Sequence, residues 1–461
     1  MSETTEKFFE MAATKAADKE HRRKLLFNIG KYNDAVVKGK TQYANLELAR
    51  QRAKNIKWKA IEQLDKMLVQ FESNFTNNGG TVIWAQTGEE AIEEIYKIAE
   101  AAGAKQVVKS KSMVTEEIHL NDALKAKNIE SVETDLGEYI QQLDGEAPYH
   151  IVTPAMHKSK EDVARVFHEH LGTPIDYTPE QLTLEARARL REKYLTSDIG
   201  VTGANFIIAD TGSILVLENE GNARLTTSFP KIHIAIVGIE KMIPSINDLA
   251  LFLPLLATYG TGQKVSVYNS IFSGPKRAEE VDGPEQMYVI LLDNGRTNLL
   301  AQAEQREALY CIRCGSCLNA CPVYKNIGGH TYGTTYSGPI GSVITPHFKG
   351  MEDFKHLSHA SSLCGNCTEV CPMKINLHEL LLLNRRDAVR EGHVKGTEKT
   401  GWMAWKWGMS NRLFMNTGSA KMRNYILTRY FSNSWGKHHD MLKFPKKSFN
   451  QMWKDKKKGA E

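Results

Sequence analysis

All seven cysteines of this 461-residue chain lie between Cys311 and Cys371. The first four read Cys311-Ile-Arg-Cys314-Gly-Ser-Cys317-Leu-Asn-Ala-Cys321-Pro322, a C-x2-C-x2-C-x3-C-P run. That spacing suits an iron–sulfur cubane. Each iron takes one soft thiolate, two-residue spacers curl the chain round one cluster, and the fourth cysteine reaches a neighbouring cluster. The last three, Cys364-Gly-Asn-Cys367-Thr-Glu-Val-Cys371-Pro372, repeat the ending, with Ser361 where a leading cysteine would stand. Exchanging the fourth cysteines predicts a first [4Fe–4S] cluster on Cys311, Cys314, Cys317 and Cys371, and a second cluster on Cys321, Cys364 and Cys367.

The second set is one thiolate short. It suits a [4Fe–4S] cluster whose last iron takes Ser361, water, a substrate or a partner's residue. It equally suits a [3Fe–4S] cluster, which needs three thiolates. Ser361 also reads as an ordinary turn or N-cap serine, and His330, His347 and His378 lie nearby in sequence. Zinc is the alternative metal, but its sites use paired C-x2-C ligands rather than this run and its near-copy. An odd count of cysteines, few for this length, argues against a disulfide scaffold.

These residues must be held by something larger. Residues 1–78 read as helical and charged, with Ala53, Ile56, Ala60, Leu64, Leu68 and Phe71 along one face, and Asn77-Asn78-Gly79-Gly80 ends the region. Residues 79–300 alternate short apolar runs with amphipathic helices. The expected strands are Thr81–Ala85, Gln106–Lys109, His150–Thr153, Asn205–Asp210, Ser213–Leu217, His233–Gly238, Lys264–Tyr268 and Met287–Leu292. A helix carrying Ala91, Ile92, Ile95, Ile98 and Ala99 joins the first two into a βαβ unit with parallel pairing. Thr211-Gly212 turns a hairpin. The fold class is therefore α/β with an antiparallel excursion. Residues 301–394 hold the cysteines, and 42 residues separate Cys321 from Cys364, an expanded join. The amphipathic helix Ile375–Ala388 that follows points to the helical ferredoxin type of succinate dehydrogenase and heterodisulfide reductase iron–sulfur subunits.

Composition narrows the classes. Hydrophobic residues make up 41% and charged residues 25%, which excludes both a disordered chain and a membrane bundle. The longest apolar run, Leu249–Tyr259, is too short for a bilayer span, and the first residues lack a signal-peptide core. The expectation is a soluble protein of a reducing cytoplasm. Residues 395–461 carry 15 lysines and arginines against 4 acidic residues and hold Trp402, Trp405, Trp407, Trp435 and Trp453. Such a tail suits an acidic partner or peripheral contact with an anionic membrane, or is plain solvated chain. Nucleic acid is not expected, since no recognition module accompanies it.

Other chemistry is sparse. No dinucleotide fingerprint, phosphate loop or nucleophile elbow is present, and catalytic residues are unassigned. Lys109-Ser-Lys-Ser-Met113, after an expected strand, is either an anion-holding loop or a solvated one. Glu218-Asn-Glu220-Gly-Asn-Ala-Arg224 is a site or a turn, and Asp210-Thr-Gly212-Ser213 is the hairpin turn.

Several segments together resemble the lactate utilization protein B family. They are Glu133-Thr-Asp-Leu-Gly137-Glu138, Pro148-Tyr-His-Ile-Val-Thr-Pro-Ala-Met-His-Lys158, Val201-Thr-Gly-Ala-Asn205, Asn219-Glu-Gly-Asn-Ala-Arg224, the two cysteine motifs, Ile327-Gly-Gly-His330, Ser337-Gly-Pro-Ile-Gly-Ser342 and Pro445-Lys-Lys-Ser-Phe449-Asn-Gln-Met-Trp453. The resemblance implies an α/β domain of the lactate-utilization (LUD) type, with a fold like glucosamine-6-phosphate isomerase, ribose-5-phosphate isomerase and CoA transferases. It implies two [4Fe–4S] clusters on seven cysteines, with a serine at the Ser361 position. It also implies partners similar to lactate utilization proteins A and C, and a role as the electron-transfer subunit of a complex oxidising L-lactate to pyruvate. The electron acceptor is unassigned. The rival readings are an iron–sulfur subunit for glycolate or glycerol 3-phosphate, and a CoA-transferase-like enzyme using Glu218 or Glu220, its clusters structural.

Overall fold

The computed structural model describes residues 2–394, 396–416, 418–432 and 440–458, so Trp435 lies outside the described residues. Four helices come first: Glu3–Ala17, Lys19–Lys40, Leu46–Glu62 and Leu64–Asn77. Asp18 and Asn45 start the second and third by accepting the His21 and Leu48 N–H groups, which satisfies donors a helix leaves open. The fourth buries Leu64, Leu68, Phe71 and Phe75 against Ala235, Val237, Val289 and Leu291 of the sheet beneath. It ends at Gly79, whose φ of +90° favours glycine, and at Gly80, where a Cβ would meet the Phe75 ring at 2.2 Å.

Ten strands follow: β1 Thr81–Ala85, β2 Gln106–Lys109, β3 Glu130–Glu133, β4 Ile199–Thr202, β5 Phe206–Ile208, β6 Ser213–Glu218, β7 Ile232–Gly238, β8 Met242–Ile243, β9 Tyr268–Phe272 and β10 Gln286–Leu292. Six form an all-parallel sheet in the order β1-β10-β7-β4-β2-β3. Its central strands are apolar on both faces, as parallel strands covered by helices must be. The β5–β6 hairpin belongs to a second sheet, β8-β5-β6-β9, which is the antiparallel excursion.

The structure corrects four expectations. His150–Thr153 is not a strand, because the His150 ring turns back on its own backbone and its Nδ1 accepts the Val152 and Thr153 N–H groups at 3.1 and 3.3 Å. Residues 264–267 are loop, and pairing with β6 begins only at Tyr268. The short strands β3 and β4 were not expected at all. Lys109 is not in a solvated loop. It is fully buried, its ammonium 2.8 Å from Glu133 and 2.9 Å from Glu116, because a charge withdrawn from water needs paired carboxylates.

The cysteine-bearing stretch is helical, ending in Leu377–Arg390. It shares one core with the N-terminal helices, in which Phe8, Leu25, Ile29 and Ile61 pack with Ile312, Leu318, Ile340 and Leu377. Residues up to 390 make one compact unit, and the tail is a second. Its described part contains the helices Gly396–Ser410, Arg412–Asn416, Ala420–Ile426 and Phe449–Lys458, with Trp402, Trp405, Trp407 and Trp453 exposed. Among the described residues no helix is long and apolar enough to cross a membrane.

Candidate functional site

The two cysteine motifs repeat each other's backbone. In the first, Arg313 and Gly315 flank Cys314 with φ of +60° and +77°. In the second, Leu363 and Gly365 flank Cys364 with φ of +53° and +78°. Two left-handed residues around one cysteine wrap the chain into a concave loop, and a short helix follows each: Ser316–Ala320 and Asn366–Glu369. Gly315 is forced twice over, since a Cβ there would press on His150 and Val152 at 3.0 and 3.1 Å.

The thiols fall into two electrostatic neighbourhoods. Cys317 feels Cys311, Cys314 and Cys371, and Cys371 feels Cys314 and Cys311. Separately, Cys367 feels Cys321 and Cys364. The grouping is that of the crossed motifs. Burial pushes the Cys314 and Cys367 thiols up to about 11 and Cys371 up to about 12. Uncoordinated, they are neutral, and a bound cation makes thiolates favourable. Backbone N–H groups approach the sulfurs, Arg313 N at 3.4 Å from Cys311 and Tyr324 N at 3.5 Å from Cys321, a setting that stabilises negative charge on sulfur.

Four thiolates on one zinc at about 2.3 Å would stand about 3.8 Å apart. Among the described residues no three cysteine sulfurs come within 4.8 Å of one another. The soft thiolate donor set suits an iron–sulfur group.

Cations surround the first thiol group. Lys57 is 1% exposed and donates to the carbonyls of Glu240 and, at 3.1 Å, Met242. Burial lowers it to about 7, against the opposing pull of Glu240. Burial and the Arg313 charge lower Lys241 to about 8. Arg50 donates to the Cys371 carbonyl at 2.8 Å and that of Glu369 at 2.9 Å. Inspection of the cysteines alone misses these residues. Only Lys57 leaves a trace in sequence, as a lysine in the buried stripe of Ala53, Ala60 and Ile61.

Ser361 occupies the counterpart of Cys311. Its Oγ accepts the Leu363 N–H at 3.1 Å, as Cys311 Sγ accepts that of Arg313 at 3.4 Å. We expect Ser361→Cys to supply an eighth thiolate there. Iron analysis and electron paramagnetic resonance after brief air exposure should show more iron retained than in the native protein; unchanged retention would mean the side chain faces away. The histidines stand elsewhere. His330 Nε2 bonds the Ala147 carbonyl at 2.7 Å, His347 Nε2 bonds Asn384 at 3.0 Å, and His378 Nδ1 bonds Thr368 at 2.8 Å. Glu218 does not wait for a substrate either: its two oxygens accept the Ala223 and Arg224 N–H groups at 2.6 and 2.9 Å, capping the helix Asn222–Ser228.

Comparison with known proteins adds to this. The LUD domain model matches residues 68–292 and the 4Fe-4S dicluster domain model matches residues 307–375. Lactate utilization protein B of Anoxybacillus flavithermus is 46% identical over 380 residues, covering 82% of this chain and 80% of that one. The Geobacillus sp. (strain WCH70) protein of that name is 43% identical over 433 residues, 91% of each chain. That of Bacillus thuringiensis (strain Al Hakam) is 43% identical over 436 residues, 92% of each. Among solved structures, a DUF162 family protein from Deinococcus radiodurans overlays with a TM-score of 0.29 at 13% identity, over 50% of this chain and 98% of that one, too weak a likeness to carry weight.

Proposed function

This chain belongs to the lactate utilization protein B family, and we propose that it is the iron–sulfur electron-transfer subunit of a complex that oxidises L-lactate to pyruvate, allowing growth on lactate. The observation that carries this reading is the pair of matching left-handed loops around Cys314 and Cys364, inside a stretch matching a 4Fe-4S dicluster domain. On this reading Cys311, Cys314, Cys317 and Cys371 hold one [4Fe–4S] cluster. Cys321, Cys364 and Cys367 hold the second, completed by a non-cysteine ligand or present as [3Fe–4S]. When bound, such groups supply one-electron transfer, which divides the two electrons released by lactate into single steps.

The chain's own residues set the terms. Lys241 and Arg313 place buried positive charge beside the first thiol group, which favours holding an added electron there. The second group includes Cys364, the one exposed cysteine, and so offers the route to a partner. We assign the working parts as 1–78 helical support, 79–300 LUD domain, 301–394 cluster domain and 395–461 docking tail. The basic tail with its exposed tryptophans suits an acidic partner surface or peripheral membrane contact. The partners we propose are proteins similar to lactate utilization proteins A and C, in the cytoplasm. The acyl-transfer alternative needs a free carboxylate: Glu218 is committed to its helix, while Glu220 lines the cavity with one oxygen on the Leu136 N–H, so Glu220→Gln is the variant that tests it.

The test is reduction of the anaerobically purified chain, mixed with its A-like and C-like partners, by L-lactate, glycolate and glycerol 3-phosphate in turn. Bleaching of the visible iron–sulfur absorption by L-lactate is expected. Bleaching by glycolate or glycerol 3-phosphate but not L-lactate would transfer the chain to a different dehydrogenase.

A further inference from the structure

A cavity of about 360 Å³ opens beyond the carboxyl ends of β2, β4 and β7, lined by Ser110 and Lys111 after β2, Asn205 after β4 and Lys241 after β7. Its place in the sheet is specific. From β2 the chain steps outward to β3, whereas from β4 it steps the other way, to β7 and then β10. The crevice between strands where the winding reverses is where open α/β sheets bind ligands. One wall of this cavity is made by Arg313 and Cys314 of the first cysteine motif.

The polar groups there are unbalanced. Lys241 is 7% exposed and lines the cavity, its charge acting on Glu240. Arg313 Nη1 is buried without a partner, while Nη2 stands 3.5 Å from Glu240. Arg313 also holds a left-handed φ of +60°, a strained state for a side-chain-bearing residue and one that collects at functional sites. Three carboxylates also line it: Glu218 accepts two backbone N–H groups, Asp135 accepts those of Gly137 and Glu138, and Glu220 accepts that of Leu136 at 3.1 Å through one oxygen. A cation lining the cavity beside a guanidinium nitrogen that is buried without a partner suits an anion with paired oxygens.

We propose that this cavity binds a small 2-hydroxy or 2-oxo carboxylate, its carboxylate group held by Lys241 and Arg313 beside Cys314. The choice of hydroxy acid rests on the functional reading above. The call for an anion rests on the two cations.

Equilibrium dialysis of radiolabelled L-lactate against the anaerobically isolated, iron-loaded chain without partners tests this. One lactate per chain is expected, displaced by pyruvate and not by the neutral analogue lactamide. Lys241→Met should weaken binding at least about tenfold, the loss expected for one charge-assisted hydrogen bond, at unchanged iron content and absorption spectrum, with Lys241→Arg recovering part of it. No saturable lactate binding, displacement by lactamide or equally by inorganic phosphate, or full affinity in an iron-replete Lys241→Met protein would overturn the proposal and leave these cations as balancing charge for the thiolates. If Lys241→Met loses iron, the lactamide comparison decides alone. Failure here while lactate still reduces the assembled complex removes only the site. Binding here without such reduction removes the electron-transfer reading instead.

Discussion

Cys371→Ser should empty the first cluster site, and Cys321→Ser the second, although each cysteine lies in the other motif. Native protein is expected to carry about eight irons if both groups are cubanes, or about seven if the second is [3Fe–4S], on the ligand rule for such motifs. Each substitution should remove about half of them. The remaining signal discriminates. Cys371→Ser should resemble Cys311→Ser, and Cys321→Ser should resemble Cys364→Ser and Cys367→Ser, in electron paramagnetic resonance. The electrostatic grouping requires this pattern: Cys371 stands with Cys311 and Cys314, and Cys321 with Cys364 and Cys367. If Cys371→Ser instead resembled Cys364→Ser and Cys367→Ser, each motif would serve its own cluster and the crossed assignment would fall.

Arg296→Met should cost about 3–5 kcal/mol of stability, the usual loss when one partner of a buried ion pair is removed. Arg296 is fully buried and opens the helix Arg296–Ala301 that follows β10. Its guanidinium grips Glu117 through two 2.9 Å bonds, meets Glu240 at 2.5 Å and lies over the Phe348 ring at 4.9 Å. Glu117 also accepts the Tyr336 hydroxyl at 2.6 Å, and Glu240 faces Arg313. The network therefore ties the sheet to the first cysteine loop. Burial raises the Glu240 carboxyl, but Arg296, Arg313 and Lys241 outweigh that and hold it at about 2. Without Arg296 two carboxylates are left short of charge in the interior. The denaturant midpoint should fall, and iron should be lost more readily from the first group than from the second. Arg296→Lys should recover only part, because an ammonium cannot reproduce the two-pronged contact. A midpoint unchanged within about 1 kcal/mol would show that the network is solvated in practice.

The parts of this protein legible in its sequence are those set by local spacing. The cysteine motifs impose their own loops, and β1, β2 and the β5–β6 hairpin follow from short apolar runs bounded by turn residues. β3 was hidden because Glu-Ser-Val-Glu carries charge at both ends, and that charge serves the burial of Lys109. β4, Ile-Gly-Val-Thr, was hidden by a glycine whose Cβ would stand 1.9 Å from the Thr226 carbonyl oxygen. His150–Thr153 reads as a strand because Ile151, Val152 and Thr153 are β-branched, and only the tertiary placement of the His150 ring against the Gly315 loop shows otherwise. The cavity was invisible for a different reason. Lys241 and Arg313 come from distant parts of the chain, and nothing local marks either as lining a cavity.

The account stands on iron–sulfur groups seated in two thiol sets. Its most direct test is electron paramagnetic resonance of the anaerobically isolated chain, before and after dithionite, with iron, sulfide and zinc measured on the same sample. Brown protein with about seven or eight irons, matching sulfide and spin signals from two distinct centres is the predicted result. Colourless protein holding about one or two zinc ions, with no sulfide and no signal in either state, would contradict it.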